Sequence, residues 1–293
     1  MSHKELMRMK ILLSGSHGYV GNHVYELLRQ RQHNVYILQR GKAHPVLHGR
    51  VQQLDDGDAF GTYDVVINCA RPHWSEYDPE TIAEIERQLL ADLDKFAKRD
   101  AVKIHTSGVW LFGHATQQEM NQFKMAPFEC VSHDKRTVLD ALNQGWNVVF
   151  CPSLIYGGKR CQLKRIVDDL DSQQMSVLLP STGFNQYVHV DDVADFFLAL
   201  IAAGVHSQPH AIAEPIGYSP LAFAKLLTHH GWIKQIQTYS QSTFIDKFGD
   251  DALDIEKLNV CLPISPLFRP KYAVADYVEE TLQVSQLAFA GGR

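Results

Sequence analysis

The sequence lacks long apolar runs and lacks any regular spacing of cysteines. No stretch approaches the roughly 20 consecutive apolar residues that a membrane helix needs, and the first residues contain no apolar core of the kind found in export signals. We therefore expect no membrane partner and a cytoplasmic location. The five cysteines are scattered, odd in number and without C-x-x-C spacing, so they are expected to be reduced thiols.

A strong excess of one charge is also missing. The 293 residues carry a formal net charge of −5, which gives no reason to expect nucleic acid as a partner. Histidine is frequent, but H-E-x-x-H spacing does not occur, and we predict no metal site. With 45% hydrophobic and 21% charged residues, the composition is that of an ordinary globular protein.

A glycine-rich turn between a predicted strand and a predicted helix is the most informative stretch. Residues 9–13 are a short apolar run typical of a buried parallel strand, and three glycines follow at once. Apolar residues at three- and four-residue steps then predict a helix. Such a unit presents a helix N-terminus to a pyrophosphate. The residues predicted to bind a dinucleotide here are Gly15, Ser16, His17, Gly18, Tyr19, Val20 and Gly21.

The end of the second predicted strand, residues 35–38, bears on which dinucleotide is bound. Gln39 stands where an acid would bind the 2′-hydroxyl of NAD, and Arg40 can pair with a 2′-phosphate. We therefore predict NADP as the cofactor, with NAD as the alternative. Arg40 could also be a solvated loop cation. Asp55, after the third predicted strand, is expected to accept a hydrogen bond from the adenine amino group.

Strands and helices continue to alternate, which predicts an α/β fold with a Rossmann-type, doubly wound parallel sheet. Ligands of such sheets bind at the carboxyl ends of the strands, so Cys69, Ala70 and Arg71 are expected to meet the cofactor. Ser107, at the end of the fifth strand, either hydrogen-bonds a substrate oxygen or is a loop serine without a catalytic role. The remaining predicted strands cover residues 50–54, 64–70, 102–106 and 147–151, and the predicted helices cover 79–99 and about 132–143.

The second half of the chain has a less regular pattern. Residues 1–160 are predicted to form the Rossmann domain, completed by a sheet segment at about 185–213, and residues 161–293 mainly a smaller α/β substrate-binding region. Asp191 or Asp192 is expected to cap an apolar helix. Ser219-Pro220 is expected to begin another helix, and residues 272–287 are expected to form the last one.

Four segments, together with the G-x-x-G-x-x-G spacing, resemble the extended short-chain dehydrogenases/reductases, of the NAD(P)-dependent epimerase/dehydratase type. The resemblance covers nearly the whole chain. It implies a sugar-nucleotide or small carbonyl or hydroxyl substrate, a cofactor contact at Pro152, the family's serine role for Ser107, and a homodimer as one option. The four segments are residues 14–21, 64–70, 106–113, and 151–157 followed by 188–194.

The Tyr-x-x-x-Lys pair of this family is missing. In the family the tyrosine transfers a proton, and the lysine lowers its pKa and holds the nicotinamide ribose. If Lys135 corresponds to that lysine, Val131 occupies the tyrosine position, and if Arg136 does, Ser132 occupies it. No tyrosine of the sequence has a lysine four residues later.

Two functions therefore stay open. The first is an NADP-dependent oxidoreductase or epimerase/dehydratase with a displaced proton donor, for which His133, Tyr156 and Tyr187 are candidates; each also has a simpler explanation, exposure for the histidine and packing for the tyrosines. The second is a non-catalytic NADP(H) sensor that acts on a partner protein. We favour the enzyme, because the second half keeps a substrate-domain pattern. The predicted catalytic residues are Ser107, Ser132, Lys135 and Arg136.

Overall fold

The computed structural model describes residues 8–39 and 49–281. Its strands are β1 (Lys10–Ser14), β2 (Asn34–Gln39), β3 (Arg50–Gln53), β4 (Tyr63–Asn68), β5 (Ala97–Gly108), β6 (Trp146–Cys151), β7 (Leu154–Tyr156), β8 (Gln174–Leu178), β9 (Tyr187–His189), β10 (Pro209–Ala211) and β11 (Gln235–Tyr239). Its helices are α1 (Tyr19–Gln30), α2 (Pro79–Phe96), α3 (Gln117–Asn121), α4 (Asp134–Asn143), α5 (Gln162–Asp168), α6 (Val190–Ala203), α7 (Pro220–His229), α8 (Gln241–Phe248) and α9 (Asp250–Glu256), and a further helix begins at residue 274.

A seven-stranded sheet has the strand order β10-β6-β5-β4-β1-β2-β3. β1 pairs in parallel with both β2 and β4, and β3 and β5 extend the sheet in parallel on either side. Ile11, Leu12 and Leu13 of β1 are fully buried, as expected for a strand covered on both faces. The order reverses between β1 and β4, which is where ligands of Rossmann-type sheets bind. The predicted fold class is confirmed.

The predicted helix over residues 79–99 is too long at its C-terminal end. It ends at Phe96, and Ala97 adopts an extended conformation and pairs with Tyr63 of β4. Lys98 then reaches back to the Asp64 carboxylate. The pairing with a strand distant in sequence ends the helix, and the polar residues after Phe96 contain no glycine or proline that would have indicated this end.

The predicted cap of α6 is wrong, because Asp191 and Asp192 lie inside its first turn. The Asp192 carboxylate instead accepts hydrogen bonds from the backbone N–H groups of Lys271 (3.1 Å) and Tyr272 (3.3 Å). α7 begins at Pro220 as expected, and the Ser219 hydroxyl caps it by accepting a hydrogen bond from the backbone N–H of Ala222. In place of the predicted start at residue 272, the last helix begins at residue 274, and its predicted end lies outside the described residues.

The chain forms two compact units whose segments are interleaved in the sequence. Unit 2 contains the parallel pairs β8–β11 and β7–β9. Within the part of the chain that the structure describes, no helix has the length and apolar character to cross a membrane. Unit 1 draws on the segments Met1–Ser107, His133–Val149 and Val193–His210, and unit 2 on Gly108–Ser132, Phe150–Asp192 and Ala211–Arg293.

Candidate functional site

The glycine turn joins β1 to α1 and brings the chain very close to the end of β4. Gly15 has a φ of +84°, which favours glycine, and a Cβ atom there would lie 2.5 Å from the backbone nitrogen of Ala70. A Cβ atom at Gly21 would lie 2.1 Å from the carbonyl oxygen of Gly15. The missing side chains therefore allow α1 to start directly above β1, next to the half-buried Cys69.

The start of α1 has the features of an anion site. Gly18 is the N-cap residue and supplies no capping side chain, and no acidic residue occupies the first turn. The backbone N–H groups of Tyr19, Val20 and Gly21 belong to this turn, where helices leave donors without intrahelical partners. The hydroxyl of Ser16 is buried and has no hydrogen-bond partner among the described residues. The turn thus offers donors to a phosphate group.

A cavity of about 400 Å³ opens beside this turn, at the carboxyl ends of β1, β2 and β4. This volume lies within the range of small-molecule and cofactor sites. The wall on the α2 side is apolar. The cavity is lined by Ser14, Gly15, His17, Leu38, Gln39, Ala70, Arg71, Pro72, Ile85 and Leu89.

Two polar side chains meet on the β2 side of this cavity. The side-chain nitrogen of Gln39 lies 3.3 Å from Nε2 of His17. Gln39 ends β2, so no carboxylate stands at that position. Arg40, predicted to pair with a 2′-phosphate, lies outside the described residues.

Arg71 is fixed at the cavity by two buried acidic side chains. Its Nη1 donates to the Glu86 carboxylate on α2 at 3.0 Å, and its Nη2 donates to the Asp134 carboxylate on α4 at 2.6 Å. The Glu86 and Asp134 side chains are 3% and 9% exposed, whereas that of Arg71 is 32% exposed. The guanidinium is therefore held rigidly while one part of it stays accessible.

The charges of this Arg71–Glu86–Asp134 cluster do not balance when all three groups are ionised. Burial raises the pKa of Glu86 to about 8, against the opposing effect of Arg71, and Asp134 adds to the rise. Burial also raises the pKa of Asp134. The cluster therefore retains a proton near neutral pH, which brings its net charge close to zero.

The backbone that carries Arg71 into the cavity is shaped by Asn68. The Asn68 amide accepts from the backbone N–H of Ala70 at 3.0 Å and donates to the Ala70 carbonyl at 3.3 Å. It also lies 3.2 Å from Nδ1 of His105 on β5. Burial, with a smaller effect of Arg71, lowers the pKa of His105 to about 3, so its ring is neutral. These contacts hold the end of β4 in position.

The other predicted cofactor residues are placed differently. Cys69 is packed under the turn and not in the cavity lining, and burial raises the pKa of its thiol to about 12. Asp55 is exposed in the turn after β3 and lies outside the described lining of the cavity. Pro152 belongs to unit 2, where it lines a different cavity with Ser153.

The predicted catalytic residues are divided between the two units. Ser107 ends its segment of unit 1 half-buried, whereas Ser132 belongs to unit 2 and precedes α4. In the first turn of α4, Lys135 is half-buried and Arg136 has 77% of its side chain exposed, with Nε 3.7 Å from the Asp140 carboxylate. Asp134 is the residue of this turn that reaches the cavity residue Arg71.

The three other candidate proton donors, two tyrosines and a histidine, have ordinary structural environments. Tyr156 and Tyr187 both belong to the hydrophobic core cluster of unit 2. Tyr187 stacks on Phe223 with ring centroids 4.6 Å apart, and burial raises its pKa above the usual value. His133 is exposed before α4. These placements agree with packing for the tyrosines and with an exposed position for the histidine.

Sequence reasoning missed the roles of Glu86, Asp134 and Asn68. The one available signal for Glu86 was an acidic residue on the otherwise apolar face of α2, since it is buried together with Ile82, Leu89 and Leu93. The described residues contain no group of three or more His, Cys, Asp or Glu side chains that could hold a metal ion.

Comparisons with known proteins agree with this geometry. UDP-glucose 4-epimerase from Thermotoga maritima, solved with UDP-glucose, has a TM-score of 0.71 and 16% identity over 96% of this chain and 100% of its own. dTDP-glucose 4,6-dehydratase from Bacillus anthracis, in complex with NAD, has a TM-score of 0.68 and 15% identity over 95% of this chain and 96% of its own. RMD from Pseudomonas aeruginosa, complexed with NADPH, has a TM-score of 0.65 and 15% identity over 94% of this chain and 98% of its own. At these identities the structural likeness shows the fold.

The family assignment comes from the sequence. No curated protein matches the chain significantly. A family model described as the NAD dependent epimerase/dehydratase family matches residues 11–213, which is more than half of the chain. The protein belongs to the NAD-dependent epimerase/dehydratase family.

Proposed function

We propose that the protein binds NADP(H) in the cavity beside the glycine turn and acts as an oxidoreductase or epimerase/dehydratase. The substrate would be a sugar nucleotide or another small carbonyl or hydroxyl compound. The observation that carries the proposal is the turn itself: glycines that admit no side chain, the first N–H groups of α1 and a buried hydroxyl without a partner in the described chain, beside a cavity of about 400 Å³. These features suit a pyrophosphate.

The chain's own residues would each perform a limited task at this site. The backbone of Tyr19–Gly21 and the Ser16 hydroxyl would donate hydrogen bonds to the pyrophosphate. Arg71 would pair with an anionic group of the cofactor or substrate, and Glu86 and Asp134 would keep its guanidinium in place. The bound dinucleotide would supply hydride transfer at its nicotinamide ring. Ser107, by the family resemblance, would hydrogen-bond the reacting oxygen of the substrate.

The preference for NADP rests on the end of β2. Gln39 leaves this position without a carboxylate that would bind a 2′-hydroxyl or repel a 2′-phosphate. Arg40 follows it in the sequence and can supply the positive charge. Structural neighbours were solved with NAD and with NADPH, so the fold accepts either cofactor. We also propose a homodimer and a cytoplasmic location, both on sequence grounds alone.

A non-catalytic NADP(H) sensor is the second candidate, and the start of α4 favours it. Val131 is buried, Ser132 precedes the helix, and the Arg136 side chain is largely exposed. An arginine does not lose its proton near neutral pH. A Ser132–Arg136 pair is therefore a poor general acid, and turnover would need Ser107 together with another donor.

Turnover separates the two functions. Wild-type protein and the double variant Ser132→Tyr, Arg136→Lys would be assayed for NADPH oxidation with a panel of carbonyl compounds and sugar nucleotides. The enzyme hypothesis predicts that wild type turns over at least one compound faster than the double variant, because the native site has its own proton donor. Tight NADPH binding without turnover by either protein would instead support the sensor.

A further inference from the structure

A second, positively charged pocket lies in unit 1 at the edge of the sheet where β2 and β3 begin. Its volume is about 390 Å³. Because β1, β2 and β3 are parallel, this edge is opposite to the carboxyl ends that form the dinucleotide cavity. The described polar residues of its lining are Arg8, Arg29, Gln32, His33, Asn34 and Arg50.

The three arginines come from three separate segments. Arg8 precedes β1, Arg29 lies in the last turn of α1, and Arg50 begins β3. All three are exposed residues and can reach a ligand. Arg29 alone would be explained by the negative carbonyl end of α1, but that explanation does not extend to Arg8 and Arg50. No acidic residue occurs in the described part of the lining, although the whole chain has a net charge of −5.

Two of the guanidinium groups are positioned by neutral tyrosines. Arg29 donates from Nη1 to the Tyr25 hydroxyl at 3.2 Å, and its guanidinium lies 5.8 Å from the centre of that ring. Arg50 donates to the Tyr36 hydroxyl and lies 5.2 Å from the Tyr36 ring centre. These two contacts orient the guanidinium groups, and an oriented guanidinium can bind an anion through two hydrogen bonds.

A buried histidine adds an independent observation. His33 is only 5% exposed, and burial, together with Arg31, lowers its pKa, so the ring is neutral. Its Nδ1 accepts a hydrogen bond from the backbone N–H of Met9 at 3.4 Å. The proton of the neutral ring must then lie on Nε2. This Nε2–H group is buried and has no acceptor in the described chain, so negative charge in the pocket would stabilise it.

The backbone at Gly49 closes the pocket against α1. A Cβ atom built on Gly49 would lie 2.7 Å from Cδ1 of Ile37 and 2.9 Å from the Tyr25 hydroxyl. A larger residue would therefore push Arg50 and the start of β3 away from the tyrosine that orients Arg29. The close approach of Gly49 to Tyr25 therefore keeps Arg29 and Arg50 in the lining of the same pocket.

We propose that this arginine pocket is a second ligand site, which binds a phosphate or diphosphate group independently of the dinucleotide cavity. Three guanidinium groups from separate segments, without a described acid, suit a ligand with at least two negative charges. The group can be an inorganic anion or part of a nucleotide, and the chemistry of recognition is the same in both cases.

Calorimetric titration of the full-length protein with inorganic pyrophosphate tests the proposal. Saturating NADPH is included so that pyrophosphate cannot bind at the glycine turn. A parallel titration of the Gly18→Asp variant disfavours binding at the turn without NADPH. The double variant Arg8→Gln, Arg50→Gln should bind pyrophosphate about tenfold more weakly or worse, because each change removes a charge-assisted contact. Arg87→Gln, which removes an arginine of α2 paired with Glu84, is the matched control and should not change the affinity.

Titration with ADP under the same conditions distinguishes the two sources of the group. Tighter binding of ADP than of pyrophosphate assigns the site to a nucleotide, and equal binding assigns it to the diphosphate alone. In both cases the imidazole nitrogen resonances of His33 should shift on titration, and those of the exposed His133 should not. Absence of pyrophosphate binding at millimolar concentrations, or equal affinity in wild type and the double variant, would overturn the proposal.

Discussion

At the scale of single residues, the Arg71–Glu86–Asp134 cluster is the least expected feature. One arginine faces two carboxylates that are almost completely buried, at 3.0 Å and 2.6 Å. The free-energy cost of burying the second carboxylate exceeds its attraction to a guanidinium that the two carboxylates share. The cluster therefore takes up a proton. The Arg71 guanidinium is thereby held in a fixed position at the cavity, while the net charge of the whole cluster stays close to zero.

Glu86 should make the protein less stable as the pH rises. Its pKa of about 8 in the folded state exceeds the ordinary value of 4.5, so the folded state binds more protons between these values. The contribution is complete below about pH 4.5 and is lost as the pH rises through about 8, with a limiting slope of about 1.4 kcal/mol per pH unit. In urea unfolding from pH 5 to 8, Glu86→Gln should flatten this decline.

Glu84→Gln is the matched control, since Glu84 lies on the same helix with 64% of its side chain exposed. It should leave the pH dependence of the unfolding free energy as in wild type. Equal profiles for wild type and Glu86→Gln would show that Glu86 titrates normally and that the cluster holds no extra proton.

Arg40 decides cofactor choice in our proposal. Arg40→Ala removes a charge-assisted bond to the 2′-phosphate, which typically costs roughly 1.5–3 kcal/mol. Fluorescence titration should therefore show NADPH binding weakened about tenfold or more, with NADH little changed. An equal loss for both cofactors would remove Arg40 from the 2′ position.

At the scale of elements, two glycines of the turn differ in how strongly packing restricts them. Gly21 is needed for packing, because a Cβ atom there would overlap the Gly15 carbonyl at 2.1 Å. Gly18 is less restricted, because its Cβ atom would lie 3.2 Å from the same carbonyl. Its φ of −68° and ψ of 166° are those of an ordinary N-cap residue.

Gly21→Ala should destabilise the protein, by about 2 kcal/mol or more, because α1 must move away from β1. Gly18→Ala should cost little, since the neighbouring carbonyl has to shift by only a small distance. Denaturant unfolding of the two variants measures the difference. If both were equally stable, the close approach of α1 to the turn would not be a constraint on the fold.

The elements that sequence reasoning placed correctly are those whose signals are local. β1, α1 and β2 follow from apolar periodicity and glycine spacing, and α7 follows from its Ser219 cap and proline. The end of α2 was misplaced because a strand pairing at Tyr63 decides it. Asp192 was misread as a cap because its true partners lie 79 and 80 residues away in sequence.

At the scale of the whole molecule, the fold could be predicted but only part of the site could. Gly15, His17, Gln39, Ala70 and Arg71 do line one cavity, because the carboxyl ends of neighbouring parallel strands must meet. The partners of Arg71 lie 15 and 63 residues away, and the sequence carries no signal that they meet. The arginine pocket likewise combines three segments, so it appears only in the folded chain.

A charge test at Gly18 shows whether the glycine turn holds the pyrophosphate of NADP(H). Gly18→Asp and Gly18→Asn have nearly the same shape, and both side chains are good N-caps, so both variants should fold as stably as wild type. Only the aspartate places a negative charge against the phosphates. By fluorescence titration, Gly18→Asp should bind NADPH at least about tenfold more weakly than Gly18→Asn. Equal affinity in two folded variants, or no binding by wild type, would show that the glycine turn does not hold the pyrophosphate.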